Sequence, residues 1–144
     1  MKALTVQQPW ATLLVAGIKD VENRTWQTRH RGRLAIHAAA RRFDASAPLP
    51  LAPIPVFGAL PVGDPFPRGV VLGTVELVDV VQGSPSEWAE EHVWHWLMRD
   101  ARVLSAALPA SGRLGLWDLA ETIAEEINNQ RGGLSVADLR GDDR

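Results

Sequence analysis

In the run Gly17-Ile18-Lys19-Asp20-Val21-Glu22-Asn23-Arg24, a glutamate and an arginine lie three and five residues beyond a lysine. An ammonium and a guanidinium hold phosphate or carbonyl oxygens, while a carboxylate accepts from an exocyclic amine or takes a proton from water. Before the motif stand Gln7, Gln8 and Trp10, and after it Trp26, His30 and His37. Such side chains stack on, or hydrogen-bond to, a flat polar ligand. The spacing leaves two readings open. Glu22 and Arg24 satisfy each other on a half-exposed strand, an arrangement that stabilises by only ~0.2–1 kcal/mol, or they form the polar floor of a pocket.

Positioning these groups requires a strand, a helix and a second strand. Leu4 to Gly17 reads as a short strand followed by a helix, with Pro9 at the first helical position and Trp10, Leu13, Leu14 and Gly17 at i, i+3, i+4 and i+7. Gly17 suits the left-handed residue that ends the helix, after which Val21 to Trp26 run extended. Alternation then puts Glu22, Arg24 and Trp26 on one face and Val21, Asn23 and Thr25 on the other. Lys19, Glu22 and Arg24 are expected to line one concavity with Trp10 or Trp26.

Further along, Val70 to Val81 is a β-branched strand with Thr74, Glu76 and Val78 on one face, so that Glu76 meets either the pocket or solvent. Ser84-Pro85-Ser86-Glu87 has the capping-box arrangement of a short helix. Val93 to Met98 reads as a strand with Trp94 and Trp96 on one side and His95 on the other, where it is a pocket hydrogen-bonder or a satisfied core histidine. Leu114 to Trp117 is the final strand, and Leu119 to Ile127 an amphipathic helix. Between these elements, Pro48 to Pro67 holds seven prolines among apolar residues, which excludes a regular helix or inner strand and marks an insertion at about 44–69. Its apolar residues pack over the barrel or cover a cleft. The segment from Gly132 to Arg144 lacks a pattern and reads as a frayed tail.

These segments resemble the ASCH domain of the PUA-like group of small β-barrels. The resemblance rests on the Gly17-x-Lys19-x-x-Glu22-x-Arg24 motif, on Leu4 to Ala11 and Arg31 to Ala38 around it, and on Gly73 to Leu77, Trp94 to Trp96 and Gly112 to Trp117 in order. It covers residues 1–118, leaving 119–144 as a C-terminal helix and tail. It implies an α+β fold, a small barrel of five or six mostly antiparallel strands with two or three peripheral helices, and a cleft between the first helix and the barrel.

Composition is consistent with this. A chain of 144 residues buries a sufficient core without disulfides, and it has no cysteine. No apolar run approaches 18 residues, so a cytoplasmic protein without membrane contact is expected. Two lysines against thirteen arginines point to a high-GC bacterial host. Net charge is only −2, yet Arg24 to Arg42 contains six arginines and no acid. Arg29 and Arg31 there either form part of a phosphate-binding face or a solvated surface that meets the acidic tail. His92 and His95 lack a third ligand at metal spacing, and neither a metal nor a cofactor is expected.

Two functions follow. In the first, the protein binds single-stranded RNA, a nucleoside or a nucleotide through Gln8, Trp10, Lys19, Glu22, Arg24, Trp26, Arg29, Arg31, His37 and His95. Arg24 and Lys19 would hold oxygens, Glu22 would accept from an amine, and Trp10 or Trp26 would stack on the base. In the second it is a hydrolase, since some ASCH-like proteins are amidohydrolases of an acylated cytidine and others are assigned nuclease activity. Lys19 and Glu22 would then be catalytic, with Glu87, Glu90 or Glu91 assisting. The amidohydrolase-like pattern carries threonine where this chain has Glu22, so a threonine nucleophile would have to give way to a glutamate base. Oligomeric state is not legible.

Overall fold

The computed structural model describes residues 1–43, 64–130 and 132–134. Most of the proline-rich insertion and the tail beyond 134 lie outside the described residues. In chain order the elements are β1 (Lys2–Val6), α1 (Trp10–Val15), β2 (Val21–Arg24), β3 (Gly32–Ala38), β4 (Val70–Val81), β5 (Trp94–Pro109), β6 (Leu116–Asp118) and α2 (Glu121–Asn129). The strands form one sheet in the order β2-β5-β4-β3-β1-β6, with only β1 and β3 parallel. The sheet curls into a half-barrel, and the fold is the α+β barrel type expected from the sequence.

Strand alternation divides the core between the two faces of this sheet. Leu4, Leu34, Ile36, Leu72, Val75 and Trp96 point to the face covered by α1, from which Ala11, Leu14 and Val15 are fully buried. Their neighbours Ala3, Ala35 and Val71 point the other way and meet Trp117, Leu119 and Ile127, the last from α2. Ile127 is the fully buried anchor of α2, and Leu134 pairs with Val103 just beyond it.

Four local expectations are corrected. Pro9 sits at the N-cap rather than inside α1, and Trp10, placed by periodicity on the apolar face, is 37% exposed. No helix follows Ser84. The Ser84 and Ser86 hydroxyls accept from the Ser86 and Trp88 amides two residues on, giving serine turns that compete with helix initiation. The strand expected to stop at Met98 continues to Pro109, because Asp100 and Ala101 form a bulge between the pairs Glu76–Arg99 and Thr74–Arg102. Asp100 has φ +47° there, and the bulge bends β5 so that its first part pairs with β2 and its length with β4. Leu114 lies outside β6 and is 98% exposed.

The arginine run meets acids on β4 and β5. Arg31 pairs with Asp79 at 3.3 Å, and Arg33 with Glu76 at 3.5 Å and with Asp100. Glu76 is therefore engaged by Arg33. Partial burial raises the Asp100 pKa, but the bonds and charges of Arg102 and Arg33 outweigh this and hold the carboxyl below its ordinary value.

Candidate functional site

Gly17 ends α1 with φ +76°, and the chain turns directly into the motif. The Ile18 and Lys19 amides both donate to the Leu13 carbonyl, which draws Lys19 back beneath the helix. Its ammonium is buried and donates to the Val21 carbonyl and, at 3.1 Å, to Glu22 Oε1. The other carboxylate oxygen accepts from Arg24 Nε at 3.0 Å and is ion-paired with Nη2 at 2.9 Å. Arg24 Nη2 also donates to the Thr5 carbonyl at 2.9 Å, fixing β2 to β1 across the mouth of the curled sheet. Lys19, Glu22 and Arg24 thus form one relay, with Glu22 in the middle and both of its oxygens held by cations.

Three adjoining clefts run along this relay. The first, about 310 Å³, lies between Trp10 and the 87–90 loop, over Lys19, Glu22 and Asn23. A central cleft of about 580 Å³ shares Trp10, Glu22 and Asn23 with it and adds Arg24, Trp26 and Arg41. The third, about 370 Å³, shares Thr5, Arg24 and Leu114 with the central one and adds His37 and the Gly112–Gly115 turn. Together they make a groove that begins among carboxylates and ends among arginines. Lys19 lines the first cleft and Arg24 the other two, so the expected single concavity is a longer channel joined at Trp10 and Glu22.

The groove's walls are tied down. Trp10 and Trp88 meet edge to face at 6.4 Å. The Trp88 loop is held by Asn23, whose Nδ2 donates to the Trp88 carbonyl at 2.9 Å and whose Oδ1 accepts from the Glu90 amide at 3.0 Å. His95 holds it from behind, accepting from the Ser84 amide on Nδ1 and donating from Nε2 to the Glu90 carbonyl. Asp20 accepts from the Ser86 hydroxyl at 2.6 Å.

At the basic end, His37 is buried, accepts the Thr5 hydroxyl proton on Nδ1 and donates from Nε2 to the Ala110 carbonyl at 2.6 Å. Trp117 Nε1 donates to the same Thr5 oxygen, completing a chain that fixes the tautomer. Burial lowers the His37 pKa, with the Ala110 bond working in the opposite direction. Gly112 must lack a side chain here, since a Cβ would stand 2.7 Å from Thr5 Oγ1 and 2.8 Å from His37 Cε1.

The sequence-derived residues therefore divide. Trp10, Lys19, Glu22, Arg24, Trp26 and His37 line the groove. Trp26 also packs on Trp96 at 4.8 Å, with only part of its ring open. Gln8 is buried and engaged with Thr12 and the Pro67 carbonyl, joining α1 to the end of the proline-rich segment. Arg29 and Arg31 are exposed and line none of the three clefts, and His95 braces the loop behind the first. Sequence reasoning missed Asn23, Trp88, Arg41 and Arg113 as site residues. Alternation puts Asn23 on the face opposite Glu22, and the capping-box signal puts Trp88 in a helix that does not form. Among the described residues, no three acidic or histidine side chains are grouped to hold a metal.

A curled six-stranded sheet with a polar groove between its first helix and its edge strand defines a small PUA-like barrel. Within that class, the chain belongs to the ASCH domain family, whose model matches residues 4–129. It is 43% identical over 135 residues to activating signal cointegrator 1 of Homo sapiens and 42% identical over 135 residues to that of Mus musculus. Each alignment covers 83% of this chain and 22% of the relative, so the chain spans about a fifth of their length. Among solved structures, ASCH from Zymomonas mobilis superposes with a TM-score of 0.55 at 16% identity, covering 89% of this chain and 93% of that one. A point mutant of the same protein gives the same TM-score and covers 96% of that chain. At that identity the likeness concerns the fold.

Proposed function

We propose that the chain binds single-stranded RNA or a nucleotide through the groove along Lys19, Glu22 and Arg24. The observation that carries this reading is the groove's ordering. A partly exposed indole, Trp10, stands beside a continuous polar floor, and Arg24, Arg41 and Arg113 lie toward one end. Aromatic platforms beside a cationic track suit a strand whose bases stack while its phosphates are neutralised. Arg24 Nη1 has no hydrogen-bond partner among the described residues and is available to an oxygen of the ligand. Membership of the ASCH family agrees with this reading.

Hydrolysis receives less support. A general base needs a lone pair directed at its water, and Lys19 and Arg24 already draw on both Glu22 oxygens, so that part of their lone-pair capacity is committed within the protein. Fluorescence anisotropy with a labelled single-stranded oligoribonucleotide, followed by chromatography of the incubated RNA, tests both readings. Trp10→Ala is expected to weaken binding by about 1–3 kcal/mol with the fold retained, because the ring is a partly exposed stacking surface. Glu22→Gln is expected to weaken binding and lower stability by about 2–4 kcal/mol, since it leaves two cations short of a counter-charge. An RNA affinity unmoved by Trp10→Ala would remove the groove from the interface. Cleavage lost specifically in Glu22→Gln would restore the hydrolase.

A further inference from the structure

We propose that the cleft between Trp10 and Trp88 is a subsite for a positively charged aromatic ring, an N-methylated cationic nucleobase, with Glu87 and Glu90 as specificity-determining residues. The inference deepens the nucleic-acid reading and rests on it for the kind of ring involved.

Charge is the first support. The cleft is lined by three glutamates and one lysine. The Lys19 ammonium is buried beneath Glu22 and bonded to it and to the Val21 carbonyl, so it presents no free charge to a ligand. Glu22 is shared between Lys19 and Arg24, so the one positive charge in excess lies at Arg24, which lines the other two clefts. Glu87 and Glu90 are different. Both are exposed at the rim, and their carboxylates have no ion-pair or hydrogen-bond partner among the described residues. Their charge is uncompensated where a ligand would enter, and a phosphate there would be repelled toward the arginine end.

The aromatic pair is the second support. Trp10 and Trp88 meet edge to face at an interplanar angle of 68°, and both line the cleft. The indole face attracts cations more strongly than the other aromatic side chains do. A neutral base gains stacking there, whereas a cationic base gains stacking, attraction to the indole and attraction to two carboxylates. A volume of about 310 Å³ accommodates one base rather than a run of them.

Preorganisation is the third. Asn23, His95 and Asp20 fix the 84–90 loop to β2, β5 and the motif through five hydrogen bonds, so the carboxylates are carried on a positioned wall. Ordering that wall need not be repeated at each binding event.

The test compares isomers that differ in charge but carry the same methyl group. By isothermal titration calorimetry at neutral pH, 1-methyladenosine, a cation, is expected to bind about tenfold or more tightly than neutral N6-methyladenosine. 3-Methylcytidine is expected to exceed N4-methylcytidine similarly. The double variant Glu87→Gln/Glu90→Gln is expected to cut each preference to about two- to fivefold, the cation having lost its carboxylates and kept its attraction to the indole; a melting curve checks that it folds. Equal affinities within a pair, binding of neither isomer, or a preference that the double variant leaves undiminished overturns the proposal. Anisotropy with unmodified single-stranded RNA separates the two readings. If RNA binds while the isomers are indistinguishable, the cationic subsite fails and RNA binding stands. If the cationic isomers are preferred while RNA does not bind, the subsite stands and RNA binding fails.

Discussion

At the scale of single residues, burial converts sequence motifs into commitments. Glu22 could have been a solvated ion-pair partner worth a few tenths of a kcal/mol. At 7% exposure between Lys19 and Arg24, it fixes the turn after α1 to β2, and removing it leaves the buried Lys19 ammonium without its counter-charge. His37 is the second such commitment. Its pKa is lowered chiefly by desolvation, so the folded protein binds its proton less readily than the unfolded chain does. The contribution is complete above the ordinary histidine value of about 6.5 and is lost as pH falls through the lower folded value. Melting temperature should therefore decline on acidification from about pH 7 to 5, and His37→Gln should flatten part of that decline. A pH dependence identical in the wild type and His37→Gln would show that His37 does not contribute to it.

At the scale of elements, the 82–93 segment is the instructive case. Ser84-Pro85-Ser86-Glu87 carries every local signal of a helix start, yet the serine hydroxyls satisfy nearby amides and no helix follows. The segment is shaped from outside, by Asn23, His95 and Asp20. Asn23→Ala removes two of these hydrogen bonds, and a cost of about 1–3 kcal/mol is expected because the Trp88 carbonyl and Glu90 amide lose their partner. Hydrogen exchange should accelerate at the Glu90 amide while the amides of β4 keep their protection. RNA affinity should fall with it, since the wall of the first cleft would loosen. Unchanged exchange at Glu90 would mean that His95 and Asp20 suffice to support the loop.

At the scale of the whole molecule, a net charge of −2 says little, because charge is distributed unevenly along the groove. The sequence draws attention to Arg29 and Arg31, which lie two residues apart in the basic run. In the fold, Arg31 is neutralised by Asp79, while Arg41 and Arg113, seventy-two residues apart, both line the groove. Replacing Arg41 or Arg113 by Ala should lower the slope of log affinity against log salt by about 0.7 each for a single strand, whereas Arg31→Ala should leave it nearly unchanged. A slope that responds to Arg31 and not to Arg41 would move the phosphate track off the groove and onto the β3–β4 surface.

What the sequence determined by itself was whatever depends on near neighbours. The end of α1 at Gly17, the shared face of Glu22 and Arg24, the full extent of β4 and the burial of Ile127 on α2 all follow from φ preference and from periods of 2 and 3.6. The order of the motif segments was also enough to place the chain in its family. Tertiary structure decided what depends on distant partners. It extended β5 to Pro109 by supplying β4 as a template across a bulge, and it left Trp10 open by burying the rest of α1. It turned Gln8 and His95 into internal braces because buried donors and acceptors must be satisfied, and the available partners lay 59 residues away for one and across a loop for the other. The groove itself belongs to this second kind. Its two ends come from loops that meet only when the sheet curls, and no local pattern records which residues a curled sheet brings face to face.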